Sequence, residues 1–442
     1  MQTPKLILRD IPNLNKIEVY LENGGFDSFR KAIATTPDDV IDVVKKSGLR
    51  GRGGACFPTG LKWSFMPKGD GIIRYLACNG DESEPGSFKD RKIFEDNPFQ
   101  LIEGMLIAGY AMQITAAYLY IRGEYHKQYD IMQAALDEAY ARGFVGEKMK
   151  ETFGTNFSMN IYLHKGAGAY VCGEETAQMT SAEGYRGTPR IKPPFPAQSG
   201  LWGKPTTVNN VETIATVPAI FRIGAEEFSK IGEPKHCGTL LFGVSGHVNK
   251  PGVYELPTGT LLTDIIENYA GGVRGGKKIK AVIPGGASMP VLRADEIEGL
   301  PMDAEHLKAI GSGVGTGGIM VMDEDTDVVH VARRISHFFH HESCGQCTPC
   351  RAGTGWMEKI LTRIDEGDAV KSDIDLLISV AEQIEGRTIC ALGDAAAWPP
   401  KWFAKKFRAD FEKKCKDEIV RTPKNIVHGK QNSPESLQYI VK

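Results

Sequence analysis

Apolar residues recur along this chain with two periods, and the switches between them mark its elements. Val40, Ile41, Val43 and Val44 form one helical face. Thr36-Pro37-Asp38-Asp39 before them supplies a cap, a proline at the first helical position and early acids. Gly48 ends that helix. From about residue 70 to 185, short apolar runs alternate with longer amphipathic ones. Residues 72–78 read as a strand, and Asn97-Pro98 opens a helix running to about residue 112. Residues 116–121 read as a strand and 126–141 as a helix stopped by Gly143. Residues 160–163 make a third strand, and another helix starts at Gly173. This alternation predicts an α/β unit with a parallel sheet covered by helices on both faces. Ligands of such sheets sit beyond the carboxyl ends of the strands.

The proline- and glycine-rich stretch 186–207 reads as an ordered functional loop or connector. Residues 239–325 change character, with strands at 240–244, 253–256 and 278–283 and a helix at 260–269: a small α+β unit. Residues 327–416 are helical. Val328, Val331, Ile335 and Phe338 mark one helix, and Trp356, Ile360 and Ile364 a second. Ser372-x-x-Asp375 opens a third, with Leu376, Leu377, Val380 and Ile384. Trp402, Phe403, Phe407 and Phe411 mark a fourth. The polar tail beyond about 420 is expected to wrap a surface or move freely. The resulting boundaries are 1–70, 71–238, 239–325 and 326–442. No internal repeat is visible.

Composition narrows the class. The 442 residues are 41% hydrophobic and 24% charged, as in globular proteins. A net charge of −2 gives no electrostatic case for nucleic acid. No apolar run reaches membrane-spanning length, and residues 105–112 read as a buried helix. The first residues lack the features of a secretory leader. Nine cysteines, an odd number, argue against a disulfide framework and for metal binding or buried thiols in a reducing cytoplasm.

Four of those cysteines carry the strongest signal. Glu342-Ser-Cys-Gly-Gln-Cys-Thr-Pro-Cys-Arg351 places Cys344, Cys347 and Cys350 in a C-x2-C-x2-C run, and Cys390 follows downstream. Three thiolates in one turn plus a distant fourth suit a [4Fe–4S] cluster, a one-electron carrier. The competing reading is a zinc site completed by His340 or His341, although zinc favours paired C-x2-C knuckles. Cys415 is a weaker candidate for the fourth ligand. Cys56, Cys78, Cys172 and Cys237 read as packed or loop thiols.

Three loops could bind the electron source. Gly51-Arg-Gly-Gly-Ala-Cys-Phe-Pro-Thr-Gly60 bares backbone N–H groups for a phosphate or flat ring, with Arg50, Arg52 and Lys62 adding charge and Phe57 and Phe65 stackable faces. It matches neither the dinucleotide fingerprint nor the Walker loop. Taken alone it is a tight turn. Cys78-Asn-Gly-Asp-Glu-Ser-Glu-Pro-Gly86 follows a strand and sets three acids where ribose or amide groups could bind; its bland reading is a solvated acidic turn. Gly166-Ala-Gly-Ala-Tyr-Val-Cys-Gly-Glu-Glu-Thr176 repeats the strand–glycine–helix arrangement, and Glu174 and Glu175 serve either a ligand or the helix start. Thr206-Thr-Val-Asn-Asn-Val-Glu-Thr213 offers amides, and by itself is a polar loop.

Together with Lys-Pro-Pro-Phe-Pro-Ala (192–197), these segments closely resemble the NADH-binding flavoprotein subunits of respiratory complex I. Related diaphorase subunits of NAD-linked hydrogenases and formate dehydrogenases share the pattern. The motifs occur in family order over about residues 20–415. The resemblance implies a Rossmann-like FMN domain, a ubiquitin-like β-grasp domain and a C-terminal four-helix bundle holding one [4Fe–4S] cluster. It implies Gly51, Arg52, Gly53, Lys62, Asn79, Asp81, Glu82, Gly173, Glu174, Asn209, Asn210 and Thr213 around FMN. For NADH it implies Phe57, Phe65 and Phe195 as adenine-stacking faces, with Lys62, Glu84, Tyr170 and Glu175 beside it. It favours Cys390 over Cys415 and sets aside both histidines. Cys56 and Gly80 depart from the family pattern, which has glycine and alanine there.

The implied activity is NADH oxidation by hydride transfer to FMN, with electrons passed singly to the cluster and no side chain acting as acid or base. Implied partners are a small [2Fe–2S] thioredoxin-like subunit and a larger multi-cluster subunit, in the peripheral arm of a membrane-bound complex on the cytoplasmic side. Neither membrane insertion nor nucleic acid is expected. The alternative is a hydrogenase or formate dehydrogenase diaphorase.

Overall fold

The computed structural model describes residues 4–417. The expectation for the tail beyond 420 lies outside the described residues. The helix α1 spans Pro37–Lys46, and its Thr36 and Asp39 cap each other as predicted.

The α/β unit is built on four parallel strands in the order β3-β2-β1-β4: β1 Tyr75–Gly80, β2 Ala116–Ile121, β3 Asn160–Lys165 and β4 Thr206–Asn210. The first strand starts later than expected, because Arg74 is bonded to the carbonyls of Pro67 and Gly69 and anchors the preceding turn. Helices α2 (Pro98–Ala111), α3 (His126–Ala141) and α5 (Val211–Ile223) pack against the sheet, α2 almost wholly buried. The other face carries the short α4, Glu175–Ala182, which packs on β1. Beside it stand the rings of Tyr75, Tyr118, Tyr162 and Trp202. Aromatic contacts there replace the second helical layer. Strand β4 is the element the sequence hid: Thr-Thr-Val-Asn-Asn has no apolar alternation, yet it forms the edge of the sheet beside β1, with Val208 and Asn209 in register with Ala77 and Cys78.

The second unit is a five-stranded mixed sheet: β5 Thr239–Gly246, β6 Gly252–Pro257, β7 Ile279–Ile283, β8 Leu292–Arg293 and β9 Gly318–Asp323, in the order β8-β7-β9-β5-β6. First and last long strands, β5 and β9, pair in parallel while the rest are antiparallel, which is the β-grasp arrangement. The helix expected at 260–269 is one α turn followed by a π turn.

The third unit packs α6 (Val328–Glu342), α7 (Thr348–Asp365), α8 (Lys371–Ile384) and α9 (Leu392–Lys406) into a bundle. The fourth periodic run is two helices: α9 ends at Phe407, whose backbone leaves helical values, and Phe411 belongs to α10, Arg408–Glu412. The third helix starts one residue before Ser372, with the Asp373 carboxylate accepting from Val370 N–H.

Buried charge joins the first two units. Lys89 Nζ lies 2.8 Å from Asp90 and 2.8 Å from Glu212, all three inside the protein. The other Glu212 oxygen accepts the N–H of Leu241 on β5 at 2.9 Å. Removing one member of such a set leaves an uncompensated buried charge, at a cost of roughly 3–5 kcal/mol.

A second carboxylate ties down the N-terminal segment. Glu255, buried on β6, accepts the N–H groups of Leu6, Ile7 and Leu8 at 2.7 to 3.1 Å and the Thr239 hydroxyl at 2.7 Å. Glu255→Ala is expected to cost about 3 kcal/mol, because hydrogen bonds to a buried charge contribute roughly 1.5–3 kcal/mol each and do not add fully. Urea unfolding measures the loss, and limited proteolysis should find the first ten or so residues released while the bundle stays protected. An unchanged cleavage pattern would remove Glu255 as the anchor.

Candidate functional site

A cleft of about 840 Å³ opens beyond the carboxyl ends of β1 and β4, where the parallel sheet predicted it. Asn79 ends β1, Asn209 and Asn210 end β4, and Gly173 with Glu174 precede α4; all line the cleft, and the 51–65 loop forms its opposite wall. Gly51 and Gly53 present bare backbone there, and a Cβ on Gly53 would sit 3.0 Å from the Asn210 Cβ. Thr213 also lines the cleft and accepts the N–H of Arg52 at 2.8 Å. Asn79 donates to Gly173 O at 2.9 Å and accepts from Asp81 N–H at 3.0 Å, locking two of the loops together. The amide of Asn210 donates to Asp90 at 2.7 Å, so the buried charges fix it from behind.

At the mouth, Phe57, Phe65 and Phe195 are 44%, 55% and 55% exposed, with the first two ring centroids 6.2 Å apart. Three uncovered rings around one cleft suit a flat heteroaromatic ligand. Across from them Lys62 lies 3.3 Å from Glu175, and Lys192 lies 2.6 Å from Glu175 and 3.2 Å from Glu174. Against the penalty of burial, the two ammonium groups hold the Glu175 carboxyl below its ordinary range. Lys192 is a cleft residue that sequence reasoning left unassigned, although it opens the quoted 192–197 motif. Glu174 doubles as the cap of α4, accepting from Thr176 and Ala177 N–H at 2.8 and 2.9 Å.

Five residues expected at the cofactors are not among those lining the cleft, and their side chains are engaged within the protein. Arg52 is buried, its guanidinium bonded to the His236 ring and to Cys237 O at 2.6 Å. Burial and that cation push the His236 imidazole down to about 2 and keep it neutral. Glu82 accepts the N–H groups of Lys89, Asp90 and Arg91 and the Tyr125 hydroxyl, capping the helix Asp90–Asp96. Glu84 accepts from Tyr170 Oη and from Ser288 N–H, each at 2.6 Å, joining the α/β unit to the β-grasp unit. Tyr170 in turn packs edge-on against Phe338 and Phe339 of α6. Asp81 sits behind Gly173 and is 9% exposed. An acid run after a strand reads as a binding loop, but here half of its carboxylate oxygens accept backbone N–H groups.

The two departures from the family pattern have geometric consequences. Cys56 adopts φ of 51°, the left-handed region that favours glycine. A Cβ on Gly80 would lie 2.8 Å from Tyr120 O and 2.9 Å from the Phe94 ring, so the glycine there admits a closer approach than alanine.

The four cysteines meet as expected. Cys344 and Cys347 in the α6–α7 loop, Cys350 in the first turn of α7 and Cys390 just before α9 line one small cavity, with Ser343 Oγ 3.2 Å from Cys350 Sγ. Among the described residues no three His, Cys, Asp or Glu side chains gather closely enough to hold a single metal ion. Zinc sites favour paired C-x2-C knuckles or mixed cysteine and histidine ligands; four cysteines around one cavity, with no histidine among its lining residues, suit a cube. Burial pushes the Cys350 thiol up, and burial together with Glu174, Cys344 and Cys350 pushes Cys390 up to about 12. Four thiolates there need compensating cationic charge, which irons supply. His340 and His341 bond to Glu358 and Glu342 and do not line the cavity. Cys415 bonds to Phe411 O and also stays away.

For a flavin nucleotide the fit rests on the bare-backbone wall, the uncovered rings and Thr59, whose buried hydroxyl beside the cleft has no partner within the protein. The two sites adjoin. Pro189 lines the cysteine cavity, while Lys192 and Phe195, a few residues on, line the cleft.

Comparison with known proteins agrees. Residues 44–219 match the Nuo51 FMN-binding domain, 240–331 the SLBB domain and 330–414 the NADH-ubiquinone oxidoreductase-F iron-sulfur binding region. The F subunit of NADH-quinone oxidoreductase from Rickettsia typhi is 55% identical over 86% of this chain and 90% of its own length. That from Rickettsia felis is 53% identical over 89% and 93%. The crystal structure of an air-oxidized NAD+-reducing [NiFe]-hydrogenase superposes with a TM-score of 0.81 at 35% identity, covering 92% of this chain and 68% of the hydrogenase chain.

Two measurements follow from the wall residues. Cys56→Gly should raise stability by about 1 kcal/mol, since a side chain at positive φ costs on the order of 1–3 kcal/mol and glycine returns part of that as unfolded-state entropy; urea unfolding reads the difference, and an unchanged or lowered midpoint refutes the strain. Burial also pushes the Asp81 carboxyl up to about 7, outweighing Arg122. In the unfolded chain this group loses its proton near pH 3.9. Between those values the folded state holds the extra proton, so stability from this group is full below about pH 4 and lost as pH rises through about 7. The cofactor-free chain should therefore lose on the order of 2–4 kcal/mol over that window, and Asp81→Asn should flatten the decline. An identical pH slope in the variant would show that Asp81 ionises normally.

Proposed function

This chain belongs to the family of F subunits of NADH-quinone oxidoreductase, and we propose which of its residues carry the family's reaction. It is an NADH-oxidising flavoprotein that uses FMN and passes electrons to one [4Fe–4S] cluster. It is a peripheral component of its complex, and among the described residues no helix is long and apolar enough to cross a membrane. FMN, when bound, supplies the change from two-electron chemistry with NADH to one-electron chemistry with the cluster.

The chain's own residues bind and orient. Backbone N–H groups at Gly51, Gly53 and Gly173, the amides of Asn79, Asn209 and Asn210 and the Thr213 hydroxyl hold the flavin nucleotide. Phe57, Phe65 and Phe195 sandwich the adenine of NADH. Lys62, Lys192 and Glu175 form the polar side of the nucleotide pocket: Glu175, kept ionised by both lysines, accepts from ribose hydroxyls. Glu82, Glu84, Arg52, Asp81 and Tyr170 act from behind as supports. Among the described residues we assign no side chain as a general acid or base, since hydride transfer calls for orientation and exclusion of water. Cys344, Cys347, Cys350 and Cys390 ligate the cluster.

The observation that carries this reading is the shared wall: the strap from Pro189 to Phe195 borders both the cysteine cavity and the cleft, so electron donor and acceptor sites are neighbours. The stronger identity to the quinone oxidoreductase chains, 55% against 35% for the hydrogenase, favours a place in complex I. We assign it partners there: a small [2Fe–2S] thioredoxin-like subunit and a larger multi-cluster subunit, with the arm on the cytoplasmic side.

Cys347→Ala tests the division of labour. NADH should still bleach the flavin absorbance of the variant at close to the wild-type rate, while transfer onward to quinone in the assembled complex falls by at least about a hundredfold. Undiminished quinone reduction would take Cys347 out of the electron path.

A further inference from the structure

We propose that the rim of the cysteine cavity docks an electron-accepting protein that presents carboxylates around its own redox centre; this rests on the cluster assignment above. Arg186 donates to Cys344 O at 3.0 Å, and Arg351 donates to Gly345 O at 2.8 Å and to Thr348 Oγ1 at 3.3 Å. Two exposed guanidinium groups are thus fastened to consecutive carbonyls of the cysteine loop. Arg387, also exposed, adjoins cavity-wall Thr388 and bonds to Gln383. Among the described residues none of the three has a carboxylate partner, whereas nearby Arg190 is paired with Glu183 at 2.7 Å. The whole chain carries a net charge of −2, so three guanidinium groups without carboxylate partners around one cavity do not follow from its composition.

Apolar surface accompanies the charge. Tyr185 and Ile191, 71% and 70% exposed, are the most exposed large hydrophobic side chains among the described residues, and they flank Pro189 of the cavity wall in sequence. Arginine and tyrosine beside exposed apolar area are the composition of an interface core. Cys344, Cys347 and Cys390 are only partly buried, so the cluster site comes nearest to solvent at this rim. Electron transfer needs close approach, and the cations there select a carboxylate-bearing acceptor, since guanidinium and carboxylate pair with two hydrogen bonds. Because both arginines are already held by the loop, little side-chain freedom is lost on docking.

The test uses the full chain assembled with its native complex. The chain carrying R186E, R351E and R387E, and a second carrying lysine at the same three positions, are each isolated and treated with NADH, and reduction of their own flavin and cluster is read by absorbance and electron paramagnetic resonance. Reduction of the wild-type cluster establishes the assignment on which the inference rests. Reversal should then lower recovery in the assembled complex, and the rate at which the next centre is reduced, by at least about tenfold, while the lysine chain stays within about threefold. For the wild type, poly-L-glutamate and about tenfold higher salt should each slow re-association, because the attraction is screened. Reversed charges that assemble and transfer like wild type overturn the proposal. So does wild-type affinity for phosphatidylserine vesicles or duplex DNA that the reversal removes while assembly is unchanged.

Discussion

The ammonium of Lys89 sits where three separately formed parts of the molecule meet. Asp90 beside it holds the Asn210 amide at the end of β4, and Glu212 carries the first turn of α5 and the N–H of Leu241 on the β-grasp sheet. Burying one cation between two carboxylates is favourable only when every remaining lone pair is used. That requirement fixes the glycine loop, the strand ends and the neighbouring sheet relative to each other. The cleft inherits its shape from this knot, since its polar wall consists largely of groups whose other hydrogen-bonding atoms are already committed.

Much of this was legible in the sequence because periodicity and capping report local physics. The helices Pro37–Lys46 and His126–Ala141 and the strand Ala116–Ile121 carry their own start, stop and face signals. The cysteine run and its downstream partner did too, since ligand spacing is a chain property. What stayed hidden depended on distant partners. Thr206–Asn210 becomes an edge strand only because Tyr75–Asn79 lies beside it. The break at Phe407 interrupts an apolar spacing that by itself continues into Phe411.

The acid-rich loop shows the same limit at the level of function. Glu82, Glu84 and Glu174 occupy positions beyond strand ends, where a ligand is expected, and resemblance places them there. The structure commits Glu82 to a helix start, Glu84 to a tyrosine and an amide of the next unit, and Glu174 to capping α4. Sequence cannot tell a carboxylate that meets a ligand from one that meets its own backbone, because both solve the same problem of unpaired N–H groups at the end of a sheet. Lys192 is the converse, a lysine within a proline-rich stretch whose role appears only when Glu174 and Glu175 come to face it.

The cysteine cavity also bears on how the protein is made. Its walls come from Pro189 in the α/β unit, from the turn between the first two bundle helices and from the segment around Cys390. A ribosome emits these parts in that order, and the enclosure does not exist until the last has emerged and folded back. Iron and sulfide therefore have no finished chamber to enter during most of synthesis. Maturation machinery meets a chain whose nucleotide cleft can already be shaped, and metallation becomes a late event in its biogenesis.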